Sequence, residues 1–177
     1  MTDMLVRLYD LPDSSEVYRG VEARGVILRR PMAYERHVLA DWVGKHFSPK
    51  WVSEVKVALG RQPVSSYVAT LDSEILGFAC YETTCKGYFG PTGVKESERG
   101  SGLGTALLFK ALEAMRSEGY AYAVIGGVGP KEFYERACGA FEIPGSNPGV
   151  YGDLLARHNG GHRVALAPSK GEMASPS

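Results

Sequence analysis

The chain has 177 residues, a length that suits one domain with a substantial core. Its 20 basic and 20 acidic residues cancel, so no overall field favours a nucleic-acid or membrane partner. No apolar run approaches the roughly 18–20 residues of a membrane span. Met1 to Asp13 has acidic residues and no long apolar centre, unlike a signal peptide.

Residues 1–20 read as an N-terminal arm, in which Leu5 to Leu11 is a short strand or arm and Pro12 to Glu16 a turn. A single domain is expected over 21–167. Val26 to Leu28 is a first strand, stopped by Pro31, which also suits the first turn of a helix. Tyr34 to Phe47 carries Val38, Leu39, Trp42 and Val43 at helical spacing. Ser48-Pro49 opens a second helix with Trp51, Val52, Val55 and Leu59 on one face, ended by Pro63. Three strands follow, Val64 to Leu71, Ile75 to Thr84 and Tyr88 to Val94, spaced closely enough for an antiparallel meander.

Next comes a helix over Leu103 to Ser117, with Leu107, Leu108, Ala111, Leu112 and Met115 inward and Gly119 as its stop. A strand over Ala121 to Gly126 and a helix over Pro130 to Cys138 complete a β-α-β-α order. Gly145 to Asp153 is a loop, Val164 to Leu166 a closing strand, and 168–177 a disordered tail of small polar residues. The pattern predicts an α/β protein with a mixed, mainly antiparallel sheet flanked by helices. Cys80, Cys85 and Cys138 fall in predicted strands or helix, are odd in number and lack metal-ligand spacing. They read as reduced thiols of a cytoplasmic protein, and no metal site is expected.

One stretch carries chemistry. Glu98-Arg99-Gly100-Ser101-Gly102-Leu103-Gly104-Thr105 follows a strand and opens a helix. The first N–H groups of a helix lack internal partners, and the helix dipole adds positive charge there. Glycines let a bulky anion approach that backbone. No Lys-Ser or Lys-Thr follows, so the turn is no P-loop. Thr105 stands three residues after Gly102, so a dinucleotide fingerprint fails as well.

The pattern that remains is Arg-x-x-Gly-x-Gly, at Arg99, Gly102 and Gly104. Downstream stands Phe133-Tyr134-Glu135-Arg136 on a short helix, then Gly139 and a final strand at Phe141. In order, spacing and residue type, Leu76 to Phe141 resembles the GCN5-related N-acetyltransferases (GNAT family). The resemblance implies the GNAT-type acyl-CoA N-acyltransferase fold, with acetyl-CoA as cofactor. It implies that Arg99, Gly100, Ser101, Gly102, Leu103, Gly104 and Thr105 hold the pyrophosphate. The acetyl-CoA arm would lie between Tyr88–Val94 and Ala121–Gly126, two strands that splay apart in the family. A backbone N–H near Val94 would face the thioester oxygen, and Pro91 suits a bulge in that strand. Tyr134 matches the tyrosine that protonates the departing thiolate, although it also suits packing beside Phe133 and Phe141. Gly127 and Pro130 replace the Asn and Ala usual in the family, so backbone groups at Gly127 would serve the arm instead.

The expected general base is Glu82, with a solvated strand face as its alternative role; Asp153, His37 and His46 are lesser candidates, and a water chain could also serve. The expected acceptor site comprises Phe47, Trp51, Tyr81, Tyr151 and Asp153. The acceptor is read as a primary amine of a small molecule, an amino sugar first, by direct transfer in a ternary complex. A peptide or protein amine, or a non-catalytic acetyl-CoA-binding module, are the alternatives. A homodimer would be ordinary.

Overall fold

A computed structural model describes residues 1–155. Its seven-stranded sheet contains β1 (Met4–Arg7), β2 (Ile27–Arg29), β3 (Ser66–Leu71), β4 (Glu74–Tyr81), β5 (Tyr88–Val94), β6 (Tyr122–Ile125) and β7 (Phe141–Glu142). The spatial order is β2-β3-β4-β5-β6-β1-β7. Neighbours are antiparallel except β5 and β6, which run parallel. This is the mixed, mainly antiparallel sheet predicted, and β3-β4-β5 is the predicted meander. The helices are α1 (Ser15–Glu22), α2 (Arg36–His46), α3 (Pro49–Gly60), α4 (Leu103–Ser117) and α5 (Lys131–Cys138). Among the described residues no helix is long and apolar enough to cross a membrane.

Each sheet face has its own core. On one side α1, α4 and α5 bury Val21, Leu107, Leu112, Tyr134 and Cys138 against Val6, Phe89, Ala123 and Ile125. On the other, α2 and α3 bury Leu39, Val43, Val55 and Leu59 against Val68, Phe78 and Cys80. The split follows strand alternation, because successive residues point to opposite faces. Burying residues such as Leu107, Leu112 or Phe78 contributes about 1.5–3 kcal/mol each.

Four expectations need correction. The segment read as an N-terminal arm is integral to the fold: β1 lies between β6 and β7, and Met4, Val6 and Leu8 are fully buried. The pairing partners lie more than a hundred residues downstream, which no local pattern reveals. The turn at Pro12 to Glu16 instead leads into helix α1, tied to α4 where Ser14 Oγ and Tyr18 Oη both donate to Glu113, at 2.5 and 2.8 Å. The strand expected to reach Thr84 ends at Tyr81, because Glu82 has φ +61 and turns the chain. Cys85 therefore lies in the β4–β5 loop rather than in a strand. The closing strand at 164–166 and the tail at 168–177 lie outside the described residues.

Candidate active site

The site begins as a gap in the sheet. β5 and β6 share two rungs, Tyr88↔Val124 and Phe89↔Ile125, and part beyond them. On its other side β5 stays paired with β4 as far as Val94. The register there shifts between Ala79↔Thr92 and Tyr81↔Phe89, placing an extra residue in β5 beside Gly90 and Pro91. That is the bulge expected at Pro91.

Pairing with β4 decides which β5 groups face the gap. Lys95 N–H donates to the Leu76 carbonyl at 2.8 Å. In an antiparallel ladder bonded and non-bonded pairs alternate, so Val94 opposite Gly77 and Thr92 opposite Ala79 are non-bonded pairs. The backbone groups of Thr92 and Val94 therefore point into the gap. This is an unpaired strand edge inside the sheet, able to bond an extended, amide-bearing ligand. Val94 lies roughly 13 Å along the strand from Gly90, so it flanks the outer gap rather than the point where the strands part.

The glycine turn closes the outer end. Gly100 and Gly102 have φ +78 and +81, a conformation glycine enters without a Cβ penalty. The first α4 helical bond runs from Ala106 N–H to the Gly102 carbonyl, which leaves the N–H groups of Leu103, Gly104 and Thr105 free of helical partners. A Cβ at Gly100 or Gly102 would meet no atom within 4 Å, so the space before the helix is open. Ser101 Oγ is spent on the turn itself, donating to the Glu98 carbonyl at 2.7 Å. Glu98 is held in turn by Arg24 at 2.5 Å. The Arg99 side chain is exposed, 3.7 Å from Glu96.

Different residues flank the inner end on the two faces. On the α4 and α5 face, Tyr134 packs edge-on to Phe89 with ring centroids 6.3 Å apart. Among the described residues no hydrogen bond engages its hydroxyl. Burial, then the nearby Cys138 thiol, pushes the Tyr134 phenol up to about 12. It is thus held in the protonated form.

The α2 and α3 face carries a polar group with no signal in the sequence. Tyr88 alternates with Phe89 and so belongs to this face. Its ring lies so close over Gly126, the first residue after β6, that a Cβ there would approach Tyr88 Cδ1 to 2.9 Å and strike the Tyr151 hydroxyl. The Tyr88 hydroxyl donates to Asp3 Oδ2 at 3.2 Å, and Gly127 N–H donates to Asp3 Oδ1 at 2.8 Å. Glu54, on α3, accepts from the Thr84 hydroxyl. Burial first, then the Asp3 and Glu54 carboxylates, pushes the Tyr151 phenol up to about 12. Phe47 covers Gly93 of β5 and packs at a tilt against Trp51 with ring centroids 4.9 Å apart, walling the same face.

Of the expected site residues, Phe47, Trp51 and Tyr151 are thus brought to one side of the gap, and Tyr134 to the other. Tyr81 is not: it is fully buried on the α4 face, its hydroxyl bonded to Glu118 at 2.5 Å and Arg30 at 2.9 Å. Its position two residues from Ala79 and four from Gly77 fixes that face. Glu82 is 4% exposed and bonded, accepting from Gly87 N–H and pairing with Arg61 at 3.3 Å. It closes the β4–β5 loop, which a carboxylate after a strand does not advertise. Asp153 and His37 are exposed, and His46 is stacked on Trp42 with Nδ1 2.8 Å from the Trp42 carbonyl. Gly127 N–H is spent on Asp3. Asp3, Glu54 and Thr84 escape sequence reasoning, since no local pattern links positions 3, 54, 84, 88 and 151.

The acetyltransferase (GNAT) family model matches residues 31–140, more than half of the chain. The chain belongs to the GNAT acetyltransferase family. GNAT members are acyl-CoA-dependent N-acetyltransferases. Solved structures share the fold. A GCN5-related glucosamine N-acetyltransferase region of a fungal multi-domain GH3 β-N-acetylglucosaminidase matches with TM-score 0.66 at 16% identity, over 80% of this chain and 19% of that one. A GCN5-related N-acetyltransferase from Sphaerobacter thermophilus gives 0.60 at 18% identity, over 80% and 48%. One from Kribbella flavida gives 0.55 at 19%, over 80% and 53%. The chain therefore spans between about a fifth and about half the length of these relatives. No curated protein sequence matches it.

Proposed function

We propose that this GNAT protein transfers an acetyl group from acetyl-CoA to a primary amine of a small molecule, by direct transfer in a ternary complex. The observation that carries the reading is the unpaired edge of β5, running from the parting of β5 and β6 toward the open glycine turn. Free N–H groups at Leu103, Gly104 and Thr105 suit a pyrophosphate, and the open space at Gly100 and Gly102 leaves room for it. Thr92 and Val94 offer backbone donors and acceptors to the two amides of a pantetheine arm. Bound acetyl-CoA would supply an activated thioester that an amine converts to an amide, releasing thiol.

The chain's own residues divide the remaining work. Arg99, exposed at the turn's rim beside Glu96, exchanges that surface partner for phosphate charge. Tyr134, protonated and without a competing partner, donates its hydroxyl proton to a departing thiolate. Phe47, Trp51 and Tyr151 enclose the acceptor on the opposite face. A hydroxyl-bearing amine, an amino sugar first, suits their mixture of aromatic faces and polar edges. Reduced Cys80, Cys85 and Cys138 agree with a cytoplasmic setting.

Calorimetric titration with acetyl-CoA, with ATP and NAD as controls, tests the reading. Micromolar binding of acetyl-CoA alone, followed by thiol release with an amine, is expected. Failure to bind acetyl-CoA overturns it.

A further inference from the structure

Resting on the acetyl-transfer reading, we propose that Asp3 is the proton sink of the acceptor site and that Tyr88 relays the proton to it from the acceptor ammonium. Glu82, the carboxylate nearest this role in the sequence, is consumed by Gly87 N–H and Arg61. Asp3, also held by a backbone N–H, differs in having no cation partner among the described residues. It is 3% exposed, and among the described residues no cation lies within ion-pairing distance of it. Its Oδ1 is fixed by Gly127 N–H at 2.8 Å, while among the described residues Oδ2 accepts only from the Tyr88 hydroxyl, at 3.2 Å.

Tyr88 is where the relay meets the site. Its ring lies over Gly126, at the parting of β5 and β6, and it is half-buried whereas Asp3 is buried. The surrounding backbone locks the pair. Asp3 N–H donates to Ser146 Oγ at 2.8 Å, Ile143 N–H donates to the Asp3 carbonyl at 2.9 Å, and Val128 N–H donates to the Thr2 carbonyl at 3.1 Å. A carboxylate so held, on the face opposite Tyr134, separates the two proton tasks. The group that gives a proton to the thiolate and the group that takes one from the amine stand on opposite faces of the sheet.

The step balances without any further reactant. An N–H bond of the acceptor ammonium breaks, and the proton goes to Tyr88 Oη. The Tyr88 O–H bond breaks in concert, and its proton goes to Asp3 Oδ2. The electron pair stays on nitrogen, leaving a neutral amine able to attack. After the amine has reacted, the proton leaves Asp3 by the reverse path, through the Tyr88 hydroxyl to water. Tyr88 never becomes a free phenolate, so its elevated affinity for the proton does not obstruct transfer.

The groups facing this pair are few. Tyr151 comes from the 149–151 turn and Glu54 from α3 through Thr84; Cys85 approaches from the β4–β5 loop. The Met1 ammonium is bonded to Asn147 at 3.0 Å. Glu54 adds negative charge on the same face, which favours a cationic acceptor over a neutral one.

Asp3→Asn keeps the shape and the Gly127 bond, and Tyr88→Phe removes the relay while sparing Asp3. Thiol release is measured against pH with glucosamine, spermidine and a peptide α-amine. Each variant is expected to lose about 100-fold in kcat/KM at neutral pH. The loss should recover as rising pH delivers free amine, with acetyl-CoA affinity unchanged. The double variant should be no worse than either single one, since both break one path. Independently of turnover, the Tyr88 phenol, followed by NMR of ring-labelled tyrosine, should titrate at lower pH in Asp3→Asn, because burial still raises it but the added contribution of the Asp3 carboxylate is gone.

A folded Asp3→Asn protein with the parent's pH profile overturns the relay, as does a loss confined to acetyl-CoA affinity. Additive losses in the double variant overturn it too. A parent that binds acetyl-CoA and acetylates none of the three amines overturns the assignment of this face to a cationic amine. A parent that does not bind acetyl-CoA overturns the acetyl-transfer reading itself.

Discussion

The ring of Phe89 meets the ring of Tyr134 edge-to-face at 6.3 Å, and Phe89 is also the last β5 residue paired with β6. The contact seats Tyr134 at the point where the sheet opens. Such aromatic pairs add roughly 0.5–1.5 kcal/mol beyond burial, enough to fix the ring. Tyr134→Phe keeps the contact and removes only the hydroxyl. We expect kcat to fall about 100-fold while calorimetry gives unchanged acetyl-CoA affinity. An unchanged kcat would leave Tyr134 a packing residue.

The same burial has a pH consequence. The folded-state Tyr134 phenol is raised from its ordinary value near 10 to about 12. Raised means that the folded state holds the proton more tightly than the unfolded chain. Its contribution to stability is complete below about pH 10 and is lost as pH climbs toward 12. Tyr18 and Tyr81, also raised by burial, act in the same direction. Thermal melts should therefore lose stability progressively above pH 10, and Tyr134→Phe should blunt the loss.

Gly104 faces the turn from inside α4, and a Cβ added there would find Val94 Cγ1 as its nearest neighbour, at 4.0 Å. Gly104→Asp therefore fits without a clash. It puts a carboxylate among the three free N–H groups, where it competes with any phosphate. We expect a normal melting curve and no measurable acetyl-CoA binding. Intact binding would move the pyrophosphate away from this turn.

Glu82 supplies a contrasting case. Glu82→Ala strands the Gly87 N–H and Arg61, and should cost about 1–3 kcal/mol in denaturant melts. Glu82→Gln retains an acceptor for Gly87, so the folded protein should keep its parent kcat and pH profile. A collapse of kcat with the acid limb displaced would restore Glu82 as the base.

Gly126 leaves no room for a side chain beneath Tyr88 and Tyr151. Gly126→Ala should displace one of the two phenols and cost about 1–3 kcal/mol through overpacking. Acceptor KM should rise more than acetyl-CoA affinity falls, because both rings line the proposed acceptor face. Equal effects on the two ligands would argue that Gly126 serves the acetyl-CoA arm.

Local rules make much of this protein legible in its sequence. Apolar spacing places α4 at Leu103 to Ser117 and β5 at Tyr88 to Val94 with their observed ends. Gly102 and Gly104 mark the open turn, because left-handed backbone and bare N–H groups are properties of a few consecutive residues. Pro91 marks the bulge for a similar reason. Pairing across the chain is not legible. Residues 1–20 hold too short an apolar run to declare an inner strand, yet β1 is buried because β6 and β7 flank it. Tyr81 and Glu82 have the look of site residues along the chain, and their faces and partners are set only where Glu118, Arg30, Arg61 and Gly87 converge on them. Asp3 beside Tyr88 is the clearest case. A carboxylate near a chain end carries no signal of its own, and its character comes from burial and from two donors supplied by β5 and the loop after β6. Neighbours along the chain suffice to define most of the elements and the open glycine turn. The setting of Asp3 depends on partners more than eighty residues away, and so emerges only when the sheet assembles.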